Sequence, residues 1–180
     1  MTTPEQTTLL PGTWALDPAH SSVNFTVRHL GISKVRGRFN KFEAGFVVDE
    51  SGYALISATV YLESFDTGNE QRDAHVRTAD LLHVEQRPTL TFKALEPIRV
   101  AEDFEVVGEI TLGEVTKPIT LAVEWGGVQE FREGERHTGF TASGSLSRTE
   151  LGVGAGLPSS FLSDKVAIEL DIQLIEPKAA

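Results

Sequence analysis

The chain has 180 residues, 40% hydrophobic and 23% charged, which fits one globular domain and leaves little for a second. With 26 acidic and 16 basic residues its formal charge is −10; such a surface repels a phosphate backbone, and no Lys/Arg cluster stands out along the sequence, so nucleic-acid binding and a polybasic membrane anchor are both disfavoured. The absence of cysteine excludes disulfides, thiolate nucleophiles and thiolate metal sites.

Residues 1–12 carry no Lys or Arg and only Leu9-Leu10 as an apolar pair, and are read as a mobile N-terminal tail lacking the features of a signal peptide. No run approaches the ~18 apolar residues of a spanning helix. The expectation is a cytoplasmic protein without stable membrane insertion, its single domain covering 13–177.

From Trp14 the hydrophobic period is two, the mark of strands. Val23, Phe25 and Val27 alternate with polar neighbours. Lys34 to Val48 reads as a second run, with bends at Gly37 and Gly45. Asp49-Glu50-Ser51-Gly52 signals a turn, and Tyr53 to Leu62 follows. Thr67-Gly68-Asn69-Glu70 matches a capping box, so 69–82 is predicted to hold one or two short helical turns, the one helical segment. Strands resume at Thr89 to Ala94, Phe104 to Leu112 and Thr116 to Trp125, the last closed by Gly126-Gly127. His137 to Arg148, a glycine-rich loop over 152–164, and Lys165 to Ile175 complete the chain. The fold class is therefore all-β: an extended antiparallel β-barrel of about eight to ten strands, long strands with short turns favouring a barrel over a sandwich.

The inward face is predicted to comprise Phe25, Val27, Phe39, Phe42, Val60, Leu62, Phe92, Val106, Ile110, Ile119, Leu121, Phe140, Ile168 and Ile172. A solid core and an apolar pocket share this composition, so the residues alone leave both open. His29 shares a strand face with Phe25 and Val27 and could cap a ligand. Arg72, Asp73 and His75 open the helical segment; they either orient a head group at a pocket mouth or form a local structural knot. No metal site is predicted from His20, His29, His75, His83 and His137, since their spacing matches no metal motif. No nucleophile elbow or Walker pattern occurs, and Gly152, Gly154 and Gly156 precede a strand where phosphate cradling needs a helix. No catalytic residue and no cofactor is assigned.

A series of blocks resembles the YceI-like family of bacterial lipid-binding proteins: Trp14 to Phe25, Val27 to Leu30, Val35 to Phe39, Ser64 to Asn69, Arg72 to His75, Pro88 to Phe92, Val115 to Leu121 and Ser147 to Val153. Their order and spacing, over 14 to about 175, carry the likeness. The resemblance implies a lipocalin-like barrel whose long apolar pocket holds an isoprenoid chain, such as an isoprenoid quinone or polyprenyl phosphate. It makes the apolar face above, with His29, Arg72, Asp73 and His75, the expected ligand-binding set. Some relatives are dimers, so a homodimer is among the expected partners, and some are exported. Before Val115 this chain has Gly113-Glu114 where the family usually shows a basic residue or His and then Gly, so no phosphate contact is expected from that tip. Two alternatives stay open: a barrel enzyme on an apolar substrate with His29 or His75 as general base, and an interaction domain with a solid core.

Overall fold

The computed structural model describes residues 9–178. In chain order the strands are β1 (Gly12–Leu16), β2 (Ser22–His29), β3 (Ser33–Phe39), β4 (Phe42–Val48), β5 (Tyr53–Tyr61) and β6 (Phe65–Asp66). One helix, α1 (Glu70–Val76), separates these from β7 (Thr89–Ala94), β8 (Ile98–Arg99), β9 (Asp103–Leu112), β10 (Val115–Arg132), β11 (Glu135–Ser147) and β12 (Lys165–Ile175). All these pairings are antiparallel, as the two-residue connections from β9 to β10 and from β10 to β11 require for those strands.

Strands β1-β4-β5-β7-β9-β10-β11-β12 follow one another round a ring that β1 closes by pairing with β12, and β2-β3-β6 continue the sheet from β12. This is a lipocalin-like barrel. The ladder on β12 is forked: Leu174 and Ile175 pair with Leu16 and Ala15 of β1, whereas Ala167 to Asp171 pair with Thr26 to Ser22 of β2. Closure by β1 thus serves one end only, and at the other the wall is widened by β2 and β3.

The expected 1–12 tail falls largely outside the described residues, but its last part is built in. Leu9 is 5% exposed, Gly12 opens β1, and the Trp14 indole N–H donates to the Leu10 carbonyl at 3.0 Å. The apolar Leu9 side chain is better hidden in the core than left in water, which anchors the chain ahead of residue 13.

Three local readings are corrected. The run from Lys34 to Val48 is two strands broken at Asn40-Lys41, where Asn40 N–H donates to the Ser64 carbonyl and its side chain to Asp66. Gly126-Gly127 does not end a strand but forms a bulge within β10. Thr138, 2% exposed, holds it: its hydroxyl donates to Gly127 O at 2.8 Å and accepts from Trp125 Nε1 at 2.7 Å. The helix cap is Asn69, whose side chain accepts from Arg72 N–H at 3.0 Å. Thr67 is drawn away by a stronger acceptor, the Asp73 carboxylate.

Candidate functional site: an apolar tunnel with one wide mouth

Inside the barrel are two apolar cavities, of about 730 and 160 Å³. The larger lies at the end widened by β2 and β3, the smaller toward the end closed by β1. Val60, Leu90 and Ile168 line both, so the two meet at these side chains.

The large cavity is bounded by Phe25, Val27, His29, Phe39, Val60, Leu62, Arg72, His75 and Ile168, and the small one by Phe42, Val60, Phe92, Val106, Ile110, Ile119, Leu121, Phe140, Ile168 and Ile172. Period-two alternation explains this: exposure alternates along β9 and β12, and on β2 it is Val23, Phe25, Val27 and His29 that line the cavities. Of the residues expected at the site, Asp73 alone lines neither cavity. It is 5% exposed and its carboxylate accepts from Thr67 N–H (3.1 and 3.0 Å) and from the Thr67 hydroxyl. Asp73 therefore fixes the β6–α1 turn and does not face a ligand.

The polar members gather at the wide mouth. Arg72 donates from Nε to the Thr67 hydroxyl and from Nη2 to the Thr67 carbonyl, leaving Nη1 without a partner among the described residues. His75 pairs with Asp80 at 3.2 Å, both exposed. The His29 ring sits edge-on to Phe161, with centroids 4.9 Å apart. His20 and His137 lie at the other end: His20 bonds Asp17, and His137 bonds Glu135 and Gln173. At Asp17 burial pushes the carboxyl up, but the His20 contact and the Ala19 N–H outweigh it and hold the group below its ordinary value. Among the described residues no three His, Asp or Glu side chains gather as a metal site.

Several lining residues escaped the sequence reading, among them Phe65, Leu81, Leu82, Leu151, Leu157 and Phe161. Apart from Phe65, on the two-residue strand β6, they come from connections, where no period marks the inward face. Arg148, beside the glycine-rich loop, plays the structural part that its place in the sequence suggests. It is 3% exposed and lines the large cavity, yet its guanidinium points into the 149–164 loop. All its N–H groups are engaged: Nε with Ser163 O, Nη1 with Val153 O and Gly154 O, Nη2 with Leu157 O and Leu162 O, at 2.6–3.1 Å. A planar fork of five donors meets five carbonyls, so the loop's shape is set by one side chain. Arg87 does likewise for carbonyls of Leu81, Leu82, Leu151 and Gly152, and burial lowers its guanidinium pKa.

The expected lack of a local basic cluster also fails. Arg28, Lys34, Arg36 and Arg38 alternate with inward residues along β2 and β3 and share one exposed face.

A closed antiparallel barrel with an apolar interior and polar side chains at its wide end defines a lipocalin-like protein built round a hydrophobic cavity. The chain belongs to the YceI-like domain family, whose profile matches residues 14–174. It is 34% identical over 154 residues to a UPF0312 protein of Vibrio cholerae, covering 84% of this chain and 82% of that one. Among solved structures, the Campylobacter jejuni YCEI protein superposes with a TM-score of 0.75 at 26% identity, covering 84% of this chain and 90% of that chain. A domain from Saccharophagus degradans, described as polyisoprenoid binding, matches in fold with a TM-score of 0.66 at 18% identity, covering 91% of this chain and 98% of that chain.

Proposed function

We propose that the barrel binds one long-chain isoprenoid lipid, an isoprenoid quinone or polyprenyl phosphate, non-covalently and without catalysis, as a carrier, store or sensor. The observation that carries this reading is a wide and a narrow apolar cavity lying next to one another inside the barrel, with Val60, Leu90 and Ile168 lining both. An isoprenoid chain has no hydrogen-bonding group along its length, so its affinity comes from area, at about 25 cal/mol per Å² removed from water. The interior offers that area and almost no polar partner. The head group belongs at the mouth, beside the unengaged Arg72 Nη1 and His75. The polyisoprenoid-binding description of the Saccharophagus domain of like fold supports the same ligand class.

Native mass spectrometry of freshly purified protein, followed by solvent extraction, tests this directly. An isoprenoid quinone or polyprenyl phosphate at one per chain is the expected result and identifies the head group. A protein that is empty and takes up no added prenyl lipid overturns the reading.

A further inference from the structure

The β2–β3 hairpin combines features that the cavity does not need. Its tip is Leu30-Gly31-Ile32, with Leu30 50% and Ile32 83% exposed, and Phe161 beside it 43% exposed. Leu30 adopts φ 54°, a left-handed conformation that disfavours a branched apolar side chain. Asn or Gly would fit that position with less strain and more polarity, so the turn keeps a costly residue whose side chain reaches solvent. The tip is also held firmly. Leu30 N–H donates to Phe161 O at 2.8 Å, Arg28 N–H to Ser163 Oγ at 2.9 Å, and Ser163 N–H to Arg28 O at 2.9 Å. Hairpin and 158–163 loop therefore present their apolar side chains as one surface.

The charge around this tip is opposite to that of the molecule. Between Asp17 and Glu43 there is no acidic residue, in a chain of net charge −10. The register sets Arg28 opposite Lys34, Thr26 opposite Arg36 and Asn24 opposite Arg38 on the exposed face. Next along the sheet, Ala167 pairs with Thr26 and Glu169 with Asn24, so the acidic residues of β12 lie away from the tip. Of the four basic residues only Arg38 meets a carboxylate among the described residues, Asp66 at 4.0 Å. Across the mouth, α1 and the turn after it bear exposed Glu70 and Asp80.

We propose that this hairpin docks the protein on an anionic lipid bilayer, with Leu30, Ile32 and Phe161 entering the head-group layer and Arg28, Lys34 and Arg36 against its surface charge. An apolar tip ringed by basic side chains matches the interface of such a bilayer; a nucleic acid has no counterpart for the apolar part. His29, next to the tip, and Phe161 beside it also line the wide cavity, so docking brings the mouth to the membrane. This goes beyond cargo binding, and an empty barrel would dock as well.

The test is flotation of the full chain with phosphatidylcholine vesicles, with and without phosphatidylglycerol, at low and high salt. Binding that needs phosphatidylglycerol and is lost at high salt is expected. The double variant Lys34→Glu/Arg36→Glu should weaken it at least ~25-fold, at about five-fold per charge. Leu30→Ser/Ile32→Ser should weaken it at low salt with the charges intact, and both variants should melt within a few degrees of the parent, the residues being exposed. Absence of binding to phosphatidylglycerol vesicles, or equal binding by parent and variants, overturns the proposal. So does a result in which the charge reversal alters only self-association.

Discussion

Phe25 and Gly37 face one another across the β2–β3 ladder, and the edge of the Phe25 ring occupies the space a side chain at 37 would need. A Cβ there would overlap Phe25 Cζ and stand 2.8 Å from the Thr67 methyl. The ring is fixed on its other sides by Phe65 and Phe39, at centroid distances of 5.3 and 5.5 Å. Gly37→Ala therefore has to displace Phe25 toward the wide cavity. It should cost about 1–3 kcal/mol of stability through overpacking, seen as a lower urea midpoint, and reduce the lipid retained per chain. Adding Phe25→Leu should recover part of both, and an unchanged midpoint for the single variant would contradict the packing argument.

Val60 sits where the two cavities meet. Val60→Trp should block that passage while leaving the wide half open. The expected outcome is loss of long prenyl chains and retention of short ones, read by mass spectrometry of a ladder of chain lengths. Uniform loss at every length would argue that the narrow half takes no part in binding.

Arg148 acts through geometry as much as charge. Arg148→Met strands five carbonyls, one buried and four partly buried, and should destabilise by about 3 kcal/mol, with faster proteolysis inside 149–164. Lysine keeps the charge but offers three donors from one point, so Arg148→Lys should recover little. Full recovery by lysine would mean that charge alone holds the loop.

Asp164 accepts from the Ser147 hydroxyl at 2.6 Å and from the Thr149 hydroxyl and N–H at 2.5 and 3.0 Å, and these bonds hold its carboxyl below the ordinary 3.8. A group lowered on folding binds fewer protons folded than unfolded. Its stabilising contribution is therefore complete above about pH 4 and fades as pH falls through the lowered value. Asp164→Asn should flatten the acid limb of a melting-temperature profile below pH ~4 and lower the plateau at neutral pH. Parallel acid limbs in parent and variant would show that the carboxylate contributes nothing there.

The strand content was legible because alternation writes the inward face into the sequence: Val166, Ile168, Leu170, Ile172 and Leu174 all point one way on β12. The same period picked out Phe25, Phe92 and Phe140. What it could not show were relationships between segments distant in the chain. The fork on β12 depends on which strand reaches which half of it, and the Arg148 cage on backbone carbonyls, which every residue carries. For a related reason the sequence left Asp73 between a ligand contact and a local structural knot, and its bonds to Thr67 make it the second. A carboxylate at a helix start looks the same in sequence whether it faces a pocket or a Thr67 amide three residues before the helix.

The fork has a consequence for direction. Barrel girth grows with the number of strands in the wall. At one end β1 closes the ring; at the other β2 and β3 are interposed, and the larger cavity lies there. The interior is thus a funnel, and a funnel distinguishes the two ends of what it receives. Beyond Val60, Leu90 and Ile168 the smaller cavity has about 160 Å³, room for a slender flexible end, against about 730 Å³ in the wide half. A cargo with a thin tail and a thick head can be threaded one way round, without any bond to a particular atom to tell it which.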